Sequence, residues 1–382
     1  MANNTLIHTE RLIKEFEYLV SFDSPSFHEK EIAGYLKKKL EALNMVVSED
    51  EAGSVFTERG EGQSTSNIYA RLKGNSEGEA ILFSSHMDTV SPGIGKKAVI
   101  HEDGTITSEG STVLGADDVS GIVAILEAIQ VIQENNLSHP DIEVVFTVAE
   151  EPYCEGSRFL DYSKINAKYG YVLDLVGPVG RAATAAPSIL SCKVKVQGKA
   201  AHAGFAPETG INALNIAVNA LHRMPTGHID EETTVNFGTI QGGSGRNIVP
   251  EDILIEGEIR SLSHEKAKNE AEKIKEVFEA EAKKLNGSVE VNITEHIRAY
   301  KVDENETVAE HFKKAVGGLA RCSLAEYITT FGGSDANRFN EHGIKTIVCA
   351  CAMENCHSTT EYTSVSELEK AAELTLQLMQ IA

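Results

Sequence analysis

Apolar positions near the start of the chain recur with a helical period. Leu12, Ile13, Phe16, Leu19 and Val20 share one face, which predicts a helix there. A second helix is predicted over Ile32, Leu36, Leu40 and Leu43, entered through Ser26 and Glu29, which have capping-box spacing. After a polar, Gly-containing stretch the pattern changes to short continuous apolar runs rich in β-branched residues. These are AILFSS (80–85), IEVVFTVA (142–149), YGYVLDLV (169–176) and TIVCACA (346–352). Between the first two runs, Ile122, Ile125, Leu126, Ile129 and Ile132 form the stripe of a helix. Strands apolar throughout, separated by helices, predict an α/β fold whose mostly parallel sheet is flanked by helices.

From about Ala185 to Arg298 the texture differs. SILSCKVKVQG (188–198) alternates, so one face of that strand meets water. A helix around Asn212 to Met224 follows, then strands in VNFGTIQGG and EDILIEGEIRSL, a long Lys/Glu-rich helix after Ser263, and a last strand, SVEVNITEHI. The order predicts a smaller α+β unit, 185–298, inserted into a larger domain built from 1–184 and 299–382. Helix and strand patterns resume in TVAEHFKKAVGG and SLAEYIT, and there is no internal repeat.

Composition narrows the functional classes. The chain has 382 residues, 41% hydrophobic and 24% charged, ordinary for a globular protein with a sizeable core. Its formal charge of -22 repels phosphate backbones and anionic lipid, so neither nucleic acid nor membrane is an expected partner. The start, MANNTLIHTERLIKEFEYLV, lacks the basic and apolar regions of a secretory signal, and no run is long enough for a membrane span. Six cysteines, Cys154, Cys192, Cys322, Cys349, Cys351 and Cys356, contain no CxxC pair and are expected to be reduced in a cytoplasmic protein.

Candidate chemistry collects just past the apolar runs. AILFSS runs into His86 and Asp88, IEVVFTVA into Glu150 and Glu151; YVLDLV carries Asp174, and His357 follows TIVCACA. Asp117 and Asp118 open the striped helix. Singly, each has a bland explanation: a satisfied His-x-Asp pair, a helix cap, a solvated strand end. Together they would converge at the carboxyl ends of parallel strands, where such sheets place their sites. Two imidazoles and three or four carboxylates exceed the needs of one catalytic zinc, which takes three protein ligands. They suit two divalent ions about 3.5–4 Å apart sharing a carboxylate, and without cations so many anions would repel one another.

HMDTV (86–90), LGADDVSG (114–121), AEEPYCEGS (149–157), AAHAGFAPETGINA (200–213) and the late His357 resemble the zinc-dependent exopeptidase family that includes peptidase T, carboxypeptidase G and aminoacylase, with peptidase T-like proteins nearest. The resemblance implies that His86 and Asp174 bind one metal, Glu151 and His357 the other, and that Asp117 bridges them. It further implies that Asp88 fixes the far nitrogen of His86 and that the Asp117–Asp118 peptide is cis. Glu150 would be the general base for a metal-bridging water attacking a peptide carbonyl. The inserted unit would be the family's lid and dimerisation domain, through which a homodimer forms. His202 would act as an oxyanion donor, from its own lid or a partner's, and Asn247 and Arg260 would grip a substrate carboxylate.

Asp at 174 resembles the family's aminopeptidases, whereas its carboxypeptidases carry Glu there; the arginine before peptidase T's Gly-Gly-Thr-Asp motif is Phe331 here. The expected function is therefore a two-zinc exopeptidase of short peptides, with manganese or cobalt able to substitute. The alternative is an N-acyl amino acid amidohydrolase or carboxypeptidase using the same metal chemistry. A Cys-rich zinc site at Cys349, Cys351 and Cys356, a serine nucleophile at Ser334 and a nucleotide loop at GGSGR (242–246) are the weaker readings.

Overall fold

The structure is a computed structural model that describes residues 6–62, 65–319 and 324–381. Cys322 and the start of SLAEYIT lie outside the described residues. The chain forms two compact units. One runs to Ala185 and resumes over Lys301–Thr330 and from Ser334 onward; the other is Ala186–Tyr300 with Phe331–Gly333. The three residues Phe331–Gly333 thus fall with the inserted unit, although 299–382 reads as a single return segment in sequence.

The larger unit is built on a mixed sheet whose centre is parallel. Its four central strands lie in the order Ile142–Thr147, Ile81–His86, Tyr169–Leu175, Lys345–Ala350. The first two are buried at every position, which is why they read as unbroken apolar runs. Ile68–Leu72 pairs antiparallel with Ile142–Thr147, and Arg181–Ala186 pairs antiparallel with Lys345–Ala350. The helix Ala116–Asn135 lies on the sheet, touching Ile81–His86 and Tyr169–Leu175, and packs against the helices Thr9–Val20 and Val365–Gln380. Gly121 permits that approach: a Cβ there would sit 2.5 Å from the Leu173 carbonyl oxygen.

The smaller unit is a five-stranded antiparallel sheet. Its order is Gly227–His228, Thr233–Gly242, Asp252–Ser261, Ser188–Gln197, Ser288–Ile297. One face carries the helices Ala213–His222 and His264–Lys284 over a core that includes Val194, Ile216, Ile255, Ile274 and Phe278. Asn212 and Ser263 cap the two helices through their side-chain oxygens.

The expected capping box at Ser26 and Glu29 does not form. The helix Lys30–Ala42 has no side-chain cap; the Ser26 hydroxyl donates to Asp88 at 2.7 Å, and the buried Glu29 carboxylate accepts from the Phe27 and Ala149 amides. Both side chains serve the loop that carries Glu150, a tertiary demand that outweighs the local one. Ser334 in turn caps the helix Asp335–Glu341 in a capping box with Asn337, a structural role that replaces the serine-nucleophile reading.

Candidate metal centre

Because the four central strands are parallel, their carboxyl ends share one edge, and five chain segments meet there. His86 is the last residue of its strand, Asp174 the penultimate residue of the next, and Glu150 and Glu151 follow Thr147 after a tight turn. His357 lies in the loop after Lys345–Ala350, and Asp117 sits in the first turn of Ala116–Asn135 with non-helical backbone angles. The Asp117–Asp118 peptide is cis.

Asp117 lies at the middle of the cluster. One of its oxygens is 3.1 Å from His86 Nε2, the other 3.2 Å from His357 Nε2. His86 Nε2 is also 3.9 Å from Asp174 and 4.0 Å from Glu150, and His357 Nε2 is 3.0 Å from Glu151. The candidate ligand atoms of His86, Asp117 and Asp174 lie within 4.8 Å of one another, and so do those of Asp117, Glu151 and His357. The structure therefore brings together the seven residues His86, Asp88, Asp117, Glu150, Glu151, Asp174 and His357.

Asp88 has a wider set of contacts than sequence suggested. The nearest partner of His86 Nδ1 is the Asp88 main-chain carbonyl at 2.9 Å, with the carboxylate at 3.5 Å. That carboxylate also accepts from the amides of Glu150 (2.9 Å) and Glu151 (3.2 Å), so one side chain steadies a histidine and the turn of the two glutamates. The turn is sharply bent: Ala149, Tyr153 and Cys154 all have positive φ. Gly156 closes it, since a Cβ there would lie 1.7 Å from the Val148 carbonyl oxygen.

The electrostatics call for cations. Burial pushes the carboxyls of Glu150 and Asp174 well above their usual range. Burial would raise Asp117 too, but the hydrogen bonds of His357 and His86 hold it far below. Reciprocally, Asp117 and then Glu151 lift His357 to about 10. His86 is likewise raised against the lowering effect of its burial, by its hydrogen bonds to Asp117 and Asp88, so both imidazoles sit in negative potential. The donors are imidazole nitrogen and carboxylate oxygen, and Glu151 Oε1 is buried with no hydrogen-bond partner. This set fits divalent first-row ions.

Several supporting residues escaped the sequence reading. Glu361, buried and lifted to about 7 by that burial, accepts from the amides of Gly115 and Asp117 at 2.7 and 2.9 Å. Glu29 holds Ala149, and Cys154 donates its thiol to Glu150 at 3.2 Å. Nothing local marks them: Glu361 is one acid in a polar loop, and its partner is 244 residues away. Cys349 and Cys351 are fully buried, and Cys351 donates to Asp118 at 3.4 Å, so they do not form a thiolate cage with half-buried Cys356.

The remaining three expected residues lie in the smaller unit. His202 is exposed, and its Nδ1 accepts from the Gly204 and Phe205 amides at 3.1 and 3.2 Å. A nitrogen that accepts cannot carry the ring proton, which leaves Nε2 as the donor. Asn247 adjoins it: its carbonyl accepts from the Ala203 amide at 3.0 Å. Arg260 is already engaged, its fork on Glu258 at 2.6 and 3.1 Å and its third nitrogen on the Phe331 carbonyl at 2.8 Å.

Comparison with known proteins bears on the whole chain. Residues 184–286 match the profile of a peptidase dimerisation domain, and residues 67–213 match peptidase family M28. A Bacillus subtilis protein, YqjE, is 41% identical over 377 residues, spanning 99% of this chain and 100% of that one. The crystal structure of a Staphylococcus aureus tripeptidase superposes with a TM-score of 0.93 at 35% identity, covering 98% of this chain and 99% of the other. The chain belongs to the peptidase T-like M20 metallopeptidases. A second peptidase T-like relative, the Bacillus cereus aminopeptidase PepT, is 40% identical with a TM-score of 0.90 over 98% of this chain and 99% of that one. As an M20 metallopeptidase the protein is a metal-dependent peptide-bond hydrolase, and the cluster around Asp117 supplies the expected donors.

Proposed function

We propose that the protein is an exopeptidase of short peptides that recognises a free N-terminus and works with two divalent ions, zinc in the first instance, with manganese or cobalt as substitutes. The observation that carries this reading is Asp117, whose two oxygens face two different histidines, each with a further carboxylate within 3.9 Å. His86 and Asp174 would hold one ion, Glu151 and His357 the other, and Asp117 both. When bound, the pair supplies Lewis-acid polarisation of the peptide carbonyl and makes water acidic enough to attack.

The chain's own residues do the rest. Glu150, raised by burial, takes a proton from the attacking water and returns it to the leaving amine. Asp88 holds both His86 and the Glu150 amide in place. His202, with Nε2 as its donor, is the proposed oxyanion contact. Asn247 and Arg260 are the proposed contacts for a substrate carboxylate; Arg260 would exchange Glu258 for that carboxylate on the same guanidinium fork. Asp at 174, as in the family's aminopeptidases, supports reading the N-terminal end of the substrate; Phe331, where peptidase T has arginine, weighs against strict tripeptide selection. Exposed Leu214 and Val218, one turn apart on the helix Ala213–His222, and exposed Ile240 support a homodimer through this unit.

Among the described residues no helix is long and apolar enough to cross a membrane, and a cytoplasmic address remains the proposal. The test is a paired digest of free-amine and N-acylated di- and tripeptides, with zinc and with chelator, read by mass. Metal-dependent loss of the N-terminal residue from free peptides is expected. Cleavage of the N-acylated set alone would replace this reading with the amidohydrolase one.

A further inference from the structure

The two oxygens of Glu150 serve different neighbours. Oε2 lies 4.0 Å from His86 Nε2, within the cluster around Asp117. Oε1 instead accepts from the Cys154 thiol at 3.2 Å. Beyond that thiol lies Asp335, brought there at the start of the helix Asp335–Glu341. Glu150, Cys154 and Asp335 are all buried, and one donor atom from each lies within 4.8 Å of the other two. None of the three is among the ligands proposed above for the catalytic pair.

Asp335 supplies the independent sign of a ligand. It is 1% exposed; Oδ2 accepts from the Thr147 hydroxyl at 2.5 Å, the Ser157 hydroxyl also bears on the carboxylate, and Oδ1 has no hydrogen bond of ordinary geometry. A buried carboxylate oxygen left unpaired is costly, and two buried carboxylates flanking a thiol multiply the cost. The backbone is shaped to bring the sulfur in: Tyr153 and Cys154 both take left-handed angles, and the Cys154 amide donates to the Glu150 carbonyl at 2.6 Å.

We propose that Glu150, Cys154 and Asp335 form a third, inhibitory cation site for a thiophilic divalent ion, such as zinc or cadmium, present in excess of the catalytic pair. Three protein ligands, one of them sulfur, match zinc's usual coordination, whereas magnesium and calcium prefer all-oxygen sets. On binding, the sulfur–hydrogen bond breaks, its proton goes to solvent, and a sulfur–metal bond forms in its place. Glu150 Oε1 then exchanges the thiol for the ion, and Asp335 supplies a carboxylate oxygen to it. A carboxylate so held cannot shuttle protons, so turnover stops. The inhibitory half rests on Glu150 being the general base; the site itself does not.

The experiment uses the full chain loaded with two equivalents of zinc, then titrated with cadmium while thiolate-to-metal charge-transfer absorbance and peptidase activity are followed together. A third equivalent is expected to raise the band as turnover falls, and Cys154→Ser to abolish the band although Cys351 and Cys356 remain. Asp335→Asn, which keeps the sulfur and the side-chain shape, is expected to weaken the third ion by on the order of tenfold or more. No band at the third equivalent, or a band unchanged in Cys154→Ser, would overturn the site. A band lost in Cys154→Ser but unaccompanied by inhibition would uphold the site and count against Glu150 as the base.

Discussion

Glu150 stands between two kinds of neighbour, the imidazole of His86 and the thiol of Cys154, and burial lifts its carboxyl well above the ordinary range. Those are the surroundings of a proton carrier rather than of a structural anion. Glu150→Gln preserves shape and removes the basic oxygen. We expect kcat to fall on the order of 10²–10⁴-fold with metal content and melting temperature unchanged; full activity with metals in place would remove Glu150 from the mechanism. Glu361 is a different case, since it touches no proposed reacting atom. Glu361→Ala would leave the amides of Gly115 and Asp117 without their buried acceptor. That should cost about 1–3 kcal/mol of stability and weaken metal affinity, measurable by thermal melting and competition with a chelator. The metal ligand candidates were legible because each closes or shortly follows an apolar strand, or opens a striped helix. Glu361, Glu29 and Asp335 were not, because their work is done on backbone and side chains brought together only by the fold.

At the level of elements, periodicity told most where burial was simplest. The strands Ile81–His86 and Ile142–Thr147 are buried at every position and read as strands at sight. Ser26 and Glu29 misled, since helix-cap spacing and a role beneath the catalytic turn use the same residue types. The edge of the sheet gives a test of the packing account. Asp141, just before the strand Ile142–Thr147, ties down the neighbouring segment: it accepts from Arg71, from the Gly74 amide at 2.7 Å and from Lys73 at 3.1 Å. Burial would raise its carboxyl, but the Arg71 hydrogen bond and the Gly74 amide outweigh this and hold it well below the ordinary 3.8. A pKa lower in the folded state stabilises the fold above the unfolded value and loses that contribution as pH falls below it. Asp141→Asn is therefore expected to lower stability near neutral pH and to flatten its decline below about pH 4, as followed by urea midpoints across pH. A parallel, undiminished acid decline would assign that loss to other carboxyls.

For the whole molecule, the organisation visible in sequence was an insertion: buried runs at both ends of the chain, an alternating, half-wet texture between them. In the structure Phe331–Gly333 fall with the unit Ala186–Tyr300, where a Cβ on Gly333 would lie 2.2 Å from Ile297. A chain of net charge -22 gathers five acids and two imidazoles around one edge, His86 buried and His357 exposed, so bound cations are expected to add stability as well as activity. The most direct measurement is anomalous diffraction at the zinc edge from crystals grown with zinc. Two peaks about 3.5–4 Å apart, one against His86 and Asp174, the other against Glu151 and His357, with Asp117 touching both, are the predicted result. A single peak, or two that do not share Asp117, would contradict it.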